Sequence, residues 1–180
     1  MLGVHHAERI EKLILMAAAP GDGGEIPAED REARLAPWYA KDGERIAQMR
    51  MLSSPRDPDP ELAARRANEV LAVPDGHMTE SLTSMETLRL GDRLPEIETP
   101  ILVIAAAADP FLPLTLQDVR CLLNAALHVF SRVGHNIETD VPAALARVIP
   151  DFLVHGAVAA QTLMERARAL QTEQQISSQA

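Results

Sequence analysis

Three short apolar runs, each ended by turn-forming residues, dominate the hydrophobic pattern of this chain. The runs are Leu13–Ala19, closed by Pro20-Gly21, then Ile101–Ala107, closed by Asp109-Pro110, and Ala126–Phe130, which leads to Gly134-His135. Continuous apolar runs bounded by turn signals are typical of strands buried on both faces of a parallel sheet. The pattern therefore predicts three parallel strands.

Helical periodicity appears after the second and third runs. Residues 115–124 place Leu116, Val119, Leu122 and Leu123 on one face, and residues 141–154 place Leu145, Val148, Ile149 and Phe152 inward. Strands that alternate with helices of this length indicate parallel βαβ units. We therefore predict an α/β fold.

The segment between the first two runs has a different composition. Nine of the 13 prolines fall within residues 20–100, and charged residues interrupt the apolar ones. The pattern predicts short helices at about 28–40, 43–52, 60–72 and 78–90, with an N-cap just before Glu61 and no strand. We interpret this segment as a helical insertion. At the start of the chain, residues 1–12 resemble the tail of a helix. At the other end, the chain is predicted to be helical to Leu170 and then Gln/Ser-rich, with residues 174–180 frayed or disordered.

Composition excludes several classes of function. The chain has 180 residues and a net charge of −9, which argues against nucleic-acid binding and against docking to anionic membranes. A single cysteine, Cys121, excludes an internal disulfide and a cysteine-based zinc site and fits a reducing cytoplasm. No apolar run approaches the roughly 18 residues that span a bilayer, and the N-terminus lacks the pattern of a signal peptide. We expect a cytoplasmic protein.

Two polar residues follow neighbouring predicted strands. Asp109 comes directly after the second strand and His135 follows the third. The carboxyl ends of parallel strands meet at one edge of a sheet, where open α/β sheets place their sites. A carboxylate that accepts the Nδ1 proton of a histidine leaves Nε2 to act as a general base. The alternative is a turn aspartate before proline and an ordinary loop histidine.

Other residues with reactive side chains fit structural roles better. Ser131 precedes the turn at a strand end, and Cys121 is expected to be a small buried hydrophobic residue on a helix. Adjacent His5 and His6 would point to different faces of a helix, so no metal site is predicted. His128 reads as a strand residue.

In several segments the sequence resembles the C-terminal part of the α/β-hydrolase fold family. The matching segments are HHAERIEKLILMAAAP, LPEIETPILVIAAAADPFLP and LHVFSRVGHNIETDVPAALARVIPDFL. The resemblance implies that Asp109 is the acid and His135 the histidine of a Ser-His-Asp triad, in the family order. It also implies that residues 1–19 and 93–155 form the C-terminal part of the core, with three parallel strands and flanking helices. Residues 20–92 would then form a helical cap, and residues 156–180 a tail.

The family's nucleophile elbow is absent from these residues. No Gly-x-Ser-x-Gly motif occurs, nor the same motif with Cys or Asp in place of Ser, and alanines replace the glycine expected just before Asp109. We therefore expect the C-terminal fragment of a hydrolase that cleaves an ester or similar bond. The fragment is expected to be inactive alone, and its first strand to have an unpaired edge where an N-terminal half would lie. The alternatives are a non-catalytic module that binds a ligand or partner, and one half of a split enzyme.

Ligand predictions remain coarse. No metal and no organic cofactor is implied, and the cap composition favours a small apolar substrate. Trp38 and Tyr39 in the cap, together with Phe111 beside Asp109, are candidate substrate-binding residues, although packing of the cap is the alternative role for Trp38 and Tyr39.

Overall fold

The computed structural model describes residues 2–24, 26–56, 58–158 and 160–177. Its three strands are β1 (Leu13–Met16), β2 (Ile101–Ala106) and β3 (Ala125–Phe130). Its α-helices are α1 (Leu2–His5), α2 (Ala28–Tyr39), α3 (Gly43–Leu52), α4 (Pro60–Leu71), α5 (Asp75–Glu86), α6 (Leu112–Val119), α7 (Ile137–Asp140), α8 (Pro142–His155) and α9 (Ala160–Ser177). Short 3₁₀ turns lie at Ala7–Arg9 and Gly91–Glu96.

The strands form one parallel sheet in the order β1-β2-β3, which confirms the predicted α/β fold class. Leu13 aligns with Ile101, and Ile101 in turn with Ala125. All six residues of β2 are buried, because both neighbours pair with it and helices cover both of its faces. Within the described part of the chain, β1 pairs on one side only, as expected for an edge strand.

Alternate residues of β2 feed two separate apolar clusters. Leu102 and Ile104 face a cluster that includes Val133, Leu145 and Phe152. The opposite face of the strand packs on the other cluster, which holds Ile101, Val103, Leu94, Ile97 and Leu122. The inward face predicted for residues 141–154 is confirmed, since helix α8 buries Leu145 and Phe152 in the first cluster and packs Val148 and Ile149 against it.

Four helices, α2 to α5, lie between β1 and β2, close to the predicted positions. The N-cap expected before Glu61 is confirmed, because the Asp59 carboxylate accepts from the backbone N–H groups of Glu61 and Leu62. Asp42 caps α3 in the same way through the N–H of Arg45. Helix α5 begins at Asp75 rather than near residue 78, because Pro74 sets the chain direction just before it.

The two ends of this helical segment are tied together. The N–H of Gly23 donates to the carbonyl of Leu88 at 2.8 Å, and that of Leu90 to Gly21 at 2.8 Å, with an isolated antiparallel bridge between Asp22 and Arg89. No bridge was predicted here. Helix α6 anchors this ribbon, because the Asp118 carboxylate accepts from the N–H of Gly21 at 2.7 Å. The two ends of the helical segment therefore lie side by side.

The boundaries of β1 and α6 also differ from the prediction. Strand β1 ends at Met16 rather than Ala19, because Ala17 adopts left-handed backbone with φ 43°. Helix α6 spans 112–119 rather than 115–124 and has a proline in its first turn, and this shift leaves Leu116 and Leu123 exposed while Leu122 is buried. The prediction that Leu116 and Leu123 face inward is wrong.

The two ends of the chain are helical. Residues 2–9 form α1 and a 3₁₀ turn, and α9 continues seven residues beyond the predicted end at Leu170 to Ser177. The remainder of the predicted disordered end, residues 178–180, lies outside the described residues. Among the helices described, none is long and apolar enough to cross a membrane.

Candidate functional site

Asp109 sits in a tight turn at the carboxyl end of β2. Its backbone N–H donates to the carbonyl of Ala106 at 3.1 Å, so the chain reverses directly after the strand. The carboxylate is buried, and its Oδ1 accepts from the backbone N–H of Phe111 at 2.9 Å. This local bond fixes the rotation of the carboxylate and leaves Oδ2 for another donor.

The loop after β3 is bonded to the loop after β2. The N–H of Ala107 donates to the carbonyl of Phe130 at 2.9 Å, and the N–H of Ala108 to that of Val133 at 3.0 Å. These bonds extend the parallel pairing of the two strands beyond their ends. They bring His135 beside Asp109, although 26 positions of sequence separate the two residues.

His135 and Asp109 form a hydrogen-bonded pair. Nδ1 of His135 lies 2.9 Å from Oδ2 of Asp109, and the aspartate side chain is 4% exposed while the histidine is 45% exposed. The carboxylate accepts from Nδ1–H, which fixes the tautomer with the proton on Nδ1. Nε2 makes no hydrogen bond to any residue that the structure describes. It is therefore free to accept a proton from a group in the cleft.

Phe111 packs edge-on against this pair. Its ring centroid is 5.7 Å from that of His135, with an angle of 60° between the planes. The ring covers one side of the imidazole, so Phe111 restricts both the orientation of His135 and the access of water to it.

The Gly134-His135 turn rests against the end of α3. The N–H of Gly134 donates to Oδ2 of Asp140 at 2.9 Å, and Oδ1 of the same carboxylate accepts from the Ser54 hydroxyl at 2.6 Å. A Cβ atom on Gly134 would lie 2.0 Å from the carbonyl oxygen of Ser53. Glycine is required here because the two backbones approach too closely for a side chain. Asp140 thus joins the histidine turn to the helical segment.

A mostly apolar cavity of about 180 Å³ opens beside Phe111. Its walls come from the segment after β1, from α2, from α5 and from the loop after β2, and they include Pro20, Gly23, Ile26, Arg34, Met85 and Phe111. This location at the carboxyl ends of parallel strands, under a helical cover, is where α/β proteins place small-molecule sites.

Solved structures of hydrolases share this architecture. An esterase from Exiguobacterium antarcticum matches with a TM-score of 0.73 and 16% identity, over 84% of this chain and 60% of the esterase. The enol-lactonase from Burkholderia xenovorans LB400 matches with a TM-score of 0.71 and 18% identity, over 86% of this chain and 60% of the lactonase. At these identities the likeness shows the fold alone.

The sequence relatives are also hydrolases. A 2-hydroxy-6-oxononadienedioate/2-hydroxy-6-oxononatrienedioate hydrolase from Paraburkholderia xenovorans is 40% identical over 67 residues, which are 36% of this chain and 23% of that protein. A hydrolase of the same description from Burkholderia vietnamiensis is 29% identical over 159 residues, 82% of this chain and 55% of that protein. The chain therefore shares the fold of the α/β-hydrolases and resembles their C-terminal part. It spans about half the length of the second relative and under a quarter of the first, and no family model matches it.

Of the residues predicted for an α/β-hydrolase site, the structure brings three together and leaves two apart. Asp109, His135 and Phe111 are in mutual contact. Tyr39 is half exposed and bonds through its hydroxyl to the Thr79 hydroxyl. Trp38 has a buried indole N–H without an acceptor among the described residues, and neither it nor Tyr39 lines the cavity at Phe111. Substrate binding by these two residues stays a prediction.

Other candidates take structural positions. Cys121 is exposed rather than buried, because α6 ends before it, and its Sγ lies 3.7 Å from the carbonyl of Gln117. The prediction of a buried thiol is therefore wrong. Ser131 is exposed, and none of the described hydroxyl or thiol groups makes a hydrogen bond to His135. His128 packs on Phe130 with ring centroids 4.3 Å apart. Among the described residues no group of three or more His, Cys, Asp or Glu side chains could hold a metal ion.

Sequence reasoning missed three residues of this region. Asp140 carried no motif, and Ser54, which it binds, is 86 positions away. Arg34 reads as one of several exposed arginines on predicted helices. Only the folded arrangement puts Arg34 on the wall of the cavity.

Proposed function

We propose that residues 1–180 carry the acid–base part of a hydrolase active site. In this proposal Asp109 and His135 belong to a Ser-His-Asp triad that cleaves an ester or similar acyl bond. The observation that carries it is the 2.9 Å contact between His135 Nδ1 and Asp109 Oδ2, with Nε2 unbonded to any described residue. Phe111 packs on this pair and also lines a mostly apolar cavity. The nucleophile elbow does not occur within these residues, so the serine is supplied by a segment outside them.

The chemistry follows from this geometry. Nε2 of His135 takes the serine proton as the serine oxygen bonds to the substrate carbonyl carbon, and the same nitrogen returns that proton to the leaving group. Nε2 then takes a proton from water as the water oxygen bonds to the acyl carbon, and it returns that proton to the serine oxygen as the acyl–serine bond breaks. The buried Asp109 carboxylate keeps Nδ1 protonated throughout and stabilises the transient imidazolium.

The helical segment serves as a cap in this proposal. Residues 20–92 would cover the cavity, residues 1–19 and 93–155 would form the C-terminal part of the core, and residues 156–180 would form a tail. The ribbon that ties Gly23 to Leu88 supports this division, because it lets the helices act as one unit.

The substrate that we propose is a small and largely apolar acyl compound that carries a carboxylate. The apolar walls of the cavity support the first part. The second part rests on the relatives from Paraburkholderia xenovorans and Burkholderia vietnamiensis, which are named as hydrolases of a dioate, a dicarboxylate.

A chimera tests the proposal. The part of the Burkholderia vietnamiensis relative that aligns with this chain is replaced by residues 1–155, and hydrolysis of p-nitrophenyl butyrate is measured. We expect turnover in the chimera and none in the 180-residue chain alone. His135→Ala should lower kcat of the chimera by about a thousandfold or more, whereas the matched control His128→Ala, on β3 and outside the site, should change it little.

Two results would contradict this function. Equal losses from the two histidine substitutions would show that His135 has no special role. If the lone chain turns over substrate and still does so after His135→Ala, the activity does not depend on the proposed triad.

The second candidate is a non-catalytic module that binds a partner. The observation that favours it is the exposure of Leu127 and Val129 on β3, together with the edge strand β1. A folded but inactive chimera whose unmodified relative is active under the same conditions would favour this candidate.

A further inference from the structure

Arg34 is the charged member of the described residues that line the cavity at Phe111. The others among them are apolar side chains or glycines, contributed by four segments of the chain. A guanidinium on a wall whose other described residues are apolar favours ligands that bring a negative charge.

The charge of Arg34 is also available. No hydrogen bond or ion pair of Arg34 with another described residue is present, in contrast to Arg31 one turn earlier on α2. Arg31 pairs with Glu86 and donates to the Thr83 hydroxyl at 2.6 Å, which ties α2 to α5. Arg31 is therefore a structural residue, whereas the guanidinium of Arg34 has no partner among the residues that the structure describes.

A second cavity, on the other side of the His135 turn, provides a comparison. Its three arginines, Arg50, Arg56 and Arg66, are each engaged, with Asn136, with the carbonyl of Arg132 and with Glu69 respectively. Two carboxylates, Asp59 and Asp140, also line it. The charge there is largely balanced, so the cavity of Arg34 is the better place for an anion.

An exposed helical arginine is most often only solvated, but position sets Arg34 apart. Phe111 lines the same cavity, and its ring centroid lies 5.7 Å from that of His135, so this one side chain links the cavity to the acid–base pair. Binding energy from a charged end of the substrate would hold the reacting bond in place at His135.

We propose that Arg34 is the residue that selects an acyl substrate with a carboxylate end. The apolar chain of the substrate lies along Met85 and Phe111, and its carboxylate pairs with the guanidinium of Arg34. This inference rests on the proposed function for the reaction, but the binding of the anion can be measured without it.

Fluorescence of Trp38 provides a binding assay on the 180-residue chain. Trp38 is the single tryptophan of the sequence and follows Arg34 by one helical turn. Hexanoate and methyl hexanoate serve as probes of the same length that differ in charge. We expect hexanoate to bind more tightly, and Arg34→Gln to weaken hexanoate by about tenfold or more while methyl hexanoate is unchanged.

Variants make the test specific. Arg34→Lys should retain part of the preference for hexanoate, because it keeps the charge and loses the two-pronged geometry. Arg65→Gln, the same charge change at an exposed position outside both cavities, should leave the binding of both probes unchanged. Circular dichroism of each variant confirms that it is folded.

The results that would overturn the role of Arg34 differ from those that would overturn the proposed triad. The inference is wrong if wild-type chain binds both probes equally, or if Arg34→Gln and Arg65→Gln weaken hexanoate alike. In the chimera, Arg34→Gln should raise KM for mono-p-nitrophenyl adipate and not for p-nitrophenyl hexanoate. Retained activity in His135→Ala with normal hexanoate binding would overturn the triad and leave the role of Arg34 standing.

Discussion

Replacing Gly134 by alanine would force apart two backbones that now touch. The added Cβ would lie 2.0 Å from the carbonyl oxygen of Ser53 and 3.2 Å from Cδ of Pro55, so the turn and the end of α3 must separate by more than an ångström. Separation strains the bridge in which Asp140 binds both the Gly134 N–H and the Ser54 hydroxyl. Overpacking of this kind costs about 1–3 kcal/mol, and we expect the free energy of unfolding to fall by that amount.

Urea unfolding followed by circular dichroism measures this effect. Gly76→Ala is the matched control, because a Cβ there meets nothing within 4 Å on helix α5. Alanine should leave stability unchanged or raise it by up to about 1 kcal/mol at that position. The NMR signal of the His135 Nδ1 proton should also weaken in Gly134→Ala. Equal stability of Gly134→Ala and the wild type would refute the proposed contact between the turn and α3.

Three further predictions concern stability. Burial raises the pKa of the Asp118 carboxyl despite the hydrogen bond from Gly21, so folding favours its neutral form. The free energy of unfolding of the wild type, relative to that of Asp118→Asn, should therefore fall as pH rises from 4 to 7. Urea unfolding at a series of pH values measures this difference, and a difference that does not change with pH would contradict the prediction. Phe152 is 3% exposed, and Phe152→Ala should lower the free energy of unfolding, measured in urea, by about 3–5 kcal/mol. Val154 is 72% exposed, and Val154→Ala should change it by under about 0.5 kcal/mol. Similar losses for the two variants would argue against the packing of α8. Asp59→Ala removes the cap of α4 and should cost about 1 kcal/mol, with faster amide exchange in the first turn of that helix; unchanged exchange at Glu61 and Leu62 would argue against the cap.

The positions of the three strands could be predicted from the sequence because each strand lies within a continuous apolar run that ends at a turn signal. β2 fits this rule best, since all of its residues are buried. The same rule fails at Ala17, an apolar residue whose left-handed backbone ends β1. Its N–H still donates to the carbonyl of Ile104 at 3.0 Å. Hydrophobic pattern alone does not reveal backbone conformation.

Helix α6 shows a second limit. Leucines at positions 116, 122 and 123 fit one apolar face by period, yet the proline in the first turn and the preceding Asp109 turn start the helix three residues early. Because the helix ends at Val119, Leu122 and Leu123 lie beyond it, and the helical period no longer places them on one face. The apolar pattern alone does not reveal where a helix ends.

The Asp109–His135 pair could be predicted because both residues follow neighbouring strands at the same sheet edge. The supporting contacts could not be predicted, since Ser54 and Asp140 meet only when the helical segment folds back over the turn. The same holds for Arg34, whose significance depends on a cavity built from four separate segments.

A double-mutant cycle across Asp109 and His135 tests the central claim most directly. kcat of the chimera is measured for the wild type, Asp109→Asn, His135→Ala and the double variant, with p-nitrophenyl butyrate as substrate. If the carboxylate acts only by orienting the histidine, Asp109→Asn should lower kcat strongly alone and have no further effect once His135 is alanine. Losses that multiply in the double variant would show that the two residues act independently, and would contradict the account.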